Sequence, residues 1–465
     1  MFGKKKEVDR TYIFESMPAN TAILSLAIPT IMNQLVNIFY NLADTFFVGK
    51  LNNPYMVSAL SLSGGVMLIM TACGSLLIVG GCAVISKSLG EGNVRKAEDV
   101  AVHLPLMALC IGAVISILSL IFIDQFAWYA GSTEFSFEYT KEYLTWVIGF
   151  NAIPNLVGCT LGAGLRGRGY SKYEMIGLSF GNILNIILDP IFIFVFDMGV
   201  KGAAVATFFS SCSAAILFLI IAFRMQKKAH LYTPIKKFKV QGPIIKEVIS
   251  IGFPAWLHQT LSSLVNTRFF NLAKAYSDSA VAAVGIGRKL EHFFGQAVIG
   301  LYQGCIPLIS YNYGNRNYER MNEIRKKSLK MGVIFGLCAM VIIVPFAKQF
   351  TQIFIKDEAT VAFGIIFVRI YAAFPLLMSV NNNCRTIYQA IGKKKQSMSI
   401  SICRNVVLFL PTIYIMNHFF GVVGLVSSNL VSDILIDIYA LFVMNKEMKR
   451  IKMEFENTEI STKSA

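Results

Sequence analysis

The chain has 465 residues, of which 55% are hydrophobic and only 15% charged, and its mean hydropathy is +0.57. That balance is too apolar for a soluble enzyme of this size, so the chain reads as an integral membrane protein. A net charge of +16 would suit a nucleic-acid binder only if a soluble domain remained to carry it, and none does.

Apolar runs long enough to cross a bilayer, roughly 17 to 25 residues each, recur along the whole chain. Twelve helices are predicted, over 20–48, 56–85, 100–123, 139–164, 173–197, 200–223, 244–275, 280–310, 329–350, 361–390, 397–418 and 422–444. The opening MFGKKKEVDR is polar and lacks a signal-peptide cleavage pattern, so the first helix is expected to stay in the mature chain. Lys and Arg gather in alternate loops: KKK near the start, Lys87 with Arg95 and Lys96, Arg166 with Arg168 and Lys172, RMQKKAHLYTPIKKFK, Arg316 to Lys330, Lys393 to Lys395, and the tail after Lys446. The intervening loops, such as GKLNNPY and YSDSA, are poor in both. This is the positive-inside pattern, and an even number of helices then places both termini in the cytoplasm of a multi-pass cell-membrane protein. The nine cysteines lie within or beside apolar segments, with no CxxC and no metal-like spacing with His, so neither disulfides nor zinc are indicated.

The chain also repeats itself. IPTIMNQ at 28–34 aligns with FPAWLHQ at 253–259, SLGEGNVRKAE at 88–98 with NYGNRNYERMN at 312–322, Asn182 with Asn405, and GVKGAAV at 199 with GVVGLVS at 421. The displacement falls in order through 225, 224, 223 and 222 residues. Six helices per half make the halves enter the membrane in the same direction. The expectation is therefore an all-α membrane protein of two six-helix lobes related by a parallel repeat, with a cavity between them. Residues 1–223 form the first lobe, 224–243 a basic cytoplasmic linker with Pro234 and Pro243, and 244–465 the second lobe with its tail.

Inside NLADTFFVG, residues 41–49, sits a carboxylate that an apolar helix should not contain. Gln34, Asn37, Asn41 and Asp44 share one face of the first helix, with Tyr40 beside them, and Asn182, Asn185 and Asp189 share a face of the fifth, followed by Pro190. Polar residues in membrane helices often serve as interhelical glue, which accounts for Asn41 or Asn182 alone. It accounts poorly for the aspartates, since an ionisable group at membrane depth costs roughly 2.5 to 3.5 kcal/mol on insertion scales and usually marks an ion or proton path.

A proline in the first helix followed by NLADTFFVG, then GGCAVISKSLGEGN, GLYQGCIPLISYNYG, AIGKKKQS and the six-plus-six repeat together resemble the multidrug and toxic compound extrusion (MATE) transporters. These belong to the multidrug/oligosaccharidyl-lipid/polysaccharide flippase superfamily, and the resemblance covers nearly the whole chain. It implies a proton or cation site in the first lobe at Asp44, Asn185, Asp189 and Thr207. Two carboxylates held close together in low dielectric share a proton as a unit, and with an amide and a hydroxyl they also offer hard oxygen ligands for Na⁺. The sequence leaves H⁺ and Na⁺ both open.

The expected activity is cation-coupled antiport that exports amphipathic, mainly cationic organic compounds by alternating access, with Pro29 as the place where the first helix bends. The substrate cavity is assigned to Gln34, Asn37, Tyr40, Asn41 and Asn182, where an aromatic beside a carboxylate suits organic cations. The chain is expected to work as a monomer in the bilayer, without nucleic acid and without a cofactor beyond the coupling ion. A flippase for a lipid-linked precursor, or an exporter of one specific metabolite, is the alternative. An intramembrane enzyme is not indicated, because His103, His230, His258, His292 and His418 are scattered, and without a Walker-type glycine loop ATP is not the energy source.

In the second lobe the positions matching Asp44 and Asp189 are Phe269 and Thr412, so a second cation site there is doubtful. That half instead carries Arg268, Arg288, Lys289, Glu291, His292 and Arg404 in apolar helices. Arg288 and Glu291, three apart, are placed to pair along one helix. These charges read as an ionic network holding the helices together.

Overall fold

The computed structural model describes residues 11–229 and 239–463. The Lys4 to Lys6 run, His230 and Pro234 lie outside the described residues. The first half comprises α1 (Ala19–Gly49), α2 (Pro54–Gly90), α3 (Val94–Ile121), α4, bent by 44° between Phe137–Phe150 and Ala152–Gly167, α5 (Ser171–Val195) and α6 (Gly199–Ala229). The second comprises α7 (Gly242–Ala273), α8 (Asp278–Gly314), α9 (Tyr318–Ile343), α10 (Glu358–Tyr371 continuing as Phe374–Ala390), α11 (394–420) and α12 (422–463).

Eight of the described helices are long and apolar enough to cross a membrane, and two bent pairs supply one span each. The long C-terminal helix is two passes, because Gly421 at φ 58° breaks it into α11 and α12. Helix α7, 32 residues long, completes the twelve; its His258, Gln259, Asn266 and Arg268 keep it out of the strongly apolar set. Several helices outrun their apolar segments. α9 starts at Tyr318 and α12 runs to Lys463, so both project beyond the bilayer.

The duplication is written into the backbone. The positive-φ residues Gly92, Gly169 and Gly199 have counterparts in Arg316, Gly392 and Gly421, at the displacements the sequence repeat requires. Helix caps repeat too. Asn53 and Ser277 cap α2 and α8, and Asn93 and Asn317 cap α3 and α9, each side chain accepting from a backbone N–H of the first turn. Short helices Ile123–Tyr129 and Ala347–Phe354 occupy equivalent places between the third and fourth spans of each half.

The halves meet through α1 on α8 and α2 on α7, which the pseudo-two-fold exchanges. Small residues make this possible. A Cβ on Gly80 would collide with the Val248 carbonyl and one on Gly252 with the Leu76 carbonyl, so α2 and α7 cross backbone to backbone. Gly90 against Tyr311 and Gly314 against Lys87 repeat the device reciprocally where α2 meets α8. Thr30 Oγ1 donates to the Gly300 carbonyl at 2.7 Å, and Lys96 pairs with Glu247 at 2.8 Å.

The segment before α1 adds a strap. Phe14, 1% exposed, stacks on Tyr311 with ring centres 4.5 Å apart and abuts Gly169 of the first lobe. Its carbonyl accepts from Asn312 Nδ2 at 3.2 Å, and Glu15 accepts from the Tyr311 hydroxyl at 2.7 Å. All these contacts lie on the side of the basic loops. The exposed Asn37 and Asn41 sit on the half of α1 beyond that junction.

Candidate functional site

Helices α1, α4, α5 and α6 bring one polar group together inside the first lobe. Asp44, Asn185, Asp189 and Thr207, which the sequence placed on three separate helices, are all buried there. Asp44 and Asp189 lie close enough for the charge of one to be felt at the other, and no Lys or Arg among the described residues offsets either. Asp44 Oδ1 is buried without a hydrogen-bond partner among the described residues.

Asn185 links the second carboxylate to α6. Its NH2 group donates to Asp189 Oδ2 at 3.2 Å while its carbonyl accepts from Thr207 Oγ1 and N at 3.3 and 3.1 Å.

Two tyrosines close the group. Tyr40, assigned from sequence to the substrate cavity, lies beside Thr207 and the two carboxylates. Tyr143 of α4, which sequence reasoning did not single out, is buried beside Asp44. It lies outside both polar stripes, in FEYTKEYL, and only the folded packing of α4 against the lobe reveals it.

The other expected cavity residues do not form one wall. Gln34 is half-buried on α1, while Asn37 and Asn41 are exposed, Asn41 Nδ2 donating to the Asn37 carbonyl at 2.7 Å. Asn182 lies two turns from Asp189 and lines a separate cavity of about 60 Å³ with Asn155, Gly181 and Ser210. Pro29 is buried within an α1 that runs unbroken from Ala19 to Gly49.

In the second lobe Phe269 is fully buried and Thr412 donates to the Leu408 carbonyl at 2.7 Å. Arg288 pairs with Glu291 at 3.1 Å, as their spacing requires. Arg404 also has a carboxylate partner, Asp433 of α12, at 2.8 and 3.3 Å. Arg268, Lys289 and His292 are exposed. Sequence reasoning overlooked Asp433 and Asp437, both buried on α12; the signal was SDILID, an acidic pair one turn apart in an otherwise apolar span.

Fold and site together define a polytopic helical membrane protein built from a duplicated six-helix lobe, with the Asp44 and Asp189 pair in the first copy and Phe269 and Thr412 at the matching places in the second. The chain belongs to the MatE family, whose pattern matches residues 29–191 and again 254–415. It is similar to the multidrug export protein MepA of Staphylococcus aureus (strain bovine RF122 / ET3-1), 28% identical over 436 residues that cover 94% of this chain and 96% of that protein. MepA of Staphylococcus haemolyticus (strain JCSC1435) is 27% identical over 447 residues, 96% of this chain and 98% of that one. The fold superposes on an outward-facing multidrug resistance MATE family transporter of the MOP superfamily with a TM-score of 0.91, at 24% identity, covering 97% of this chain and all of the other. A MOP superfamily transporter from Pyrococcus furiosus gives a TM-score of 0.89 at 24% identity, over 95% of this chain and 98% of the other.

Proposed function

We propose that this protein is an antiporter that expels amphipathic organic compounds in exchange for H⁺ or Na⁺ bound in the first lobe. The observation that carries the reading is the Asp44 and Asp189 pair, two buried carboxylates without a basic partner among the described residues. Such a pair is costly unless a proton or metal cation neutralises it. Asn185, Thr207, Tyr40 and Tyr143 surround the pair with oxygen atoms and hydrogen-bonding groups, which suits either ion. The similar staphylococcal multidrug export proteins support the substrate class.

Binding of the ion on one side of the membrane and of substrate on the other requires the lobes to part alternately on each face. The close glycine crossings on the side of the basic loops are the junction that must open, and that side is assigned to the cytoplasm by loop charge, as is the basic linker 224–243 by its sequence. A cysteine introduced at residue 234 should be labelled only from inside the cell; labelling from outside would reverse the assignment.

The direct test is transport into proteoliposomes under an imposed pH or Na⁺ gradient. Asp44→Asn and Asp189→Asn should each abolish gradient-driven accumulation of a cationic dye while the protein still inserts. Accumulation at the parental rate in either variant would reduce that carboxylate to a structural role.

A further inference from the structure

We propose that the second lobe holds a binding site for an oxyanion, the carboxylate or phosphate group of an amphipathic compound, centred on Arg385. The site is the cavity of about 180 Å³ between α7, α8, α10, α11 and α12, whose lining includes Arg288, Arg385 and Arg404. Two of these cations are answered within the protein, Arg288 by Glu291 and Arg404 by Asp433. Arg385 is not. Its guanidinium donates to Asn382 Oδ1, its Nε is buried without an acceptor among the described residues, and its charged neighbour is Arg404, another cation. Asp437 does not fill the role, since the charges acting on it are those of Asp433 and Arg404.

Other groups in the same cavity wait for the same kind of partner. Asn429 Nδ2 and Arg288 Nε are buried donors without acceptors, and His258 Nδ1 is likewise unpartnered. A buried donor left unmade costs about 1–3 kcal/mol, more when charged. A ligand with two or more anionic oxygens would satisfy several at once, and the planar fork of an arginine suits such a group.

The duplication sharpens the assignment. The equivalent cavity of the first lobe, at Asn182, is lined by no charged residue. Following the register that pairs Asn182 with Asn405, Gly162 and Gly181 of that lobe are replaced in the second by Arg385 and Arg404. One lobe therefore packs glycines closely against Ala214 and Phe218 where the other carries two arginines. A second cavity of about 290 Å³, lined by Phe270, His292 and Gln296, adjoins the first across the Arg288 and Glu291 pair, so an apolar body has a place beside the anionic group.

This inference concerns equilibrium binding and stands whether or not the first lobe couples transport. The test is binding of 2-naphthoate to the purified full-length protein, compared with 2-naphthylmethylammonium, a cation of similar shape. Naphthoate should bind more tightly, lose at least about 10-fold in affinity in Arg385→Gln, and stay within about 3-fold in Lys289→Gln, which removes an exposed cation outside the cavity. Asn429→Leu supplies the same test should Arg385→Gln misfold, with a loss of roughly 3-fold expected for one neutral hydrogen bond. Displacement of naphthoate by phosphatidylglycerol in nanodiscs would identify a lipid headgroup as the source of the anion; displacement by inorganic phosphate alone would identify a free solute. Equal binding of the two naphthyl probes, or naphthoate affinity unchanged in Arg385→Gln, would overturn the site.

Discussion

The guanidinium carbon of Arg288 lies 4.4 Å from the ring centre of Phe269, and Phe269 is the residue that stands where the first lobe has Asp44. At equivalent places in the duplicated fold, one lobe thus buries a carboxylate and the other an aromatic ring with a cation over it. A stacked, fully buried ring of this kind contributes both area and cation–π attraction. Phe269→Ala should lower stability by on the order of 3 kcal/mol, read as earlier thermal unfolding of the purified protein, while leaving ion dependence at the first lobe unchanged.

Tyr143 offers a finer probe of the first lobe than removing a carboxylate. Tyr143→Phe keeps the buried ring and deletes the hydroxyl that lies beside Asp44, in place to donate to its carboxylate. A hydrogen bond to a charged group is worth about 1.5–3 kcal/mol, so the H⁺ or Na⁺ concentration for half-maximal transport should shift by about 10-fold or more. A variant with an unchanged ion profile would remove Tyr143 from the coupling group.

Substrate and coupling ion should compete. Neutralising Asp44 and Asp189 removes their mutual repulsion and with it the negative field that attracts an organic cation. Lowering pH, or raising Na⁺ if that is the ion, should weaken equilibrium binding of a cationic dye in the parental protein but not in the Asp44→Asn, Asp189→Asn double variant. Equal ion sensitivity in that variant, or sensitivity lost on replacing Glu291 instead, would move coupling to the second lobe.

A fourth prediction concerns stability alone. Arg166 of α4 and Glu174 of α5 pair at 3.0 Å with side chains only 3% and 4% exposed. Removing one partner of a buried pair strands the other charge, at a cost of about 3–5 kcal/mol. Arg166→Met should therefore melt well below the parental protein, and Arg166→Met with Glu174→Leu should recover much of the loss. A double variant no more stable than the single one would mean that the pair is not an isolated unit.

The spans and their duplication were legible in sequence because apolar length and a fixed displacement survive as one-dimensional patterns. The aspartate stripes were legible for the same reason, as spacing along a single helix. What one helix cannot show is what another brings to it. Tyr143 meets Asp44 across 99 positions of chain, Arg404 finds Asp433 on the next helix, and Tyr40 turns to Thr207 instead of standing apart as a cavity wall. Nor does any spacing rule reveal that Arg385 is left over after its neighbours have paired.

The strap formed by Phe14 ties any parting of the lobes on the side of the basic loops to the short segment before α1. Separation on the side of the basic loops must draw this ring out from between Tyr311 and Gly169, which exposes an aromatic side chain at a cost of about 2–3 kcal/mol. That is enough to hold one resting shape over the other by roughly 30- to 150-fold, from a point far from Asp44 and Asp189 and with no substrate involved. The segment before α1 thus acts as a latch on that face: Phe14→Ala should leave the ion dependence of transport unchanged yet let the basic face open more often, measurable as faster labelling of a cysteine placed at Val248, which is buried where α2 crosses α7. Unaltered labelling would show that the glycine crossings alone set the balance.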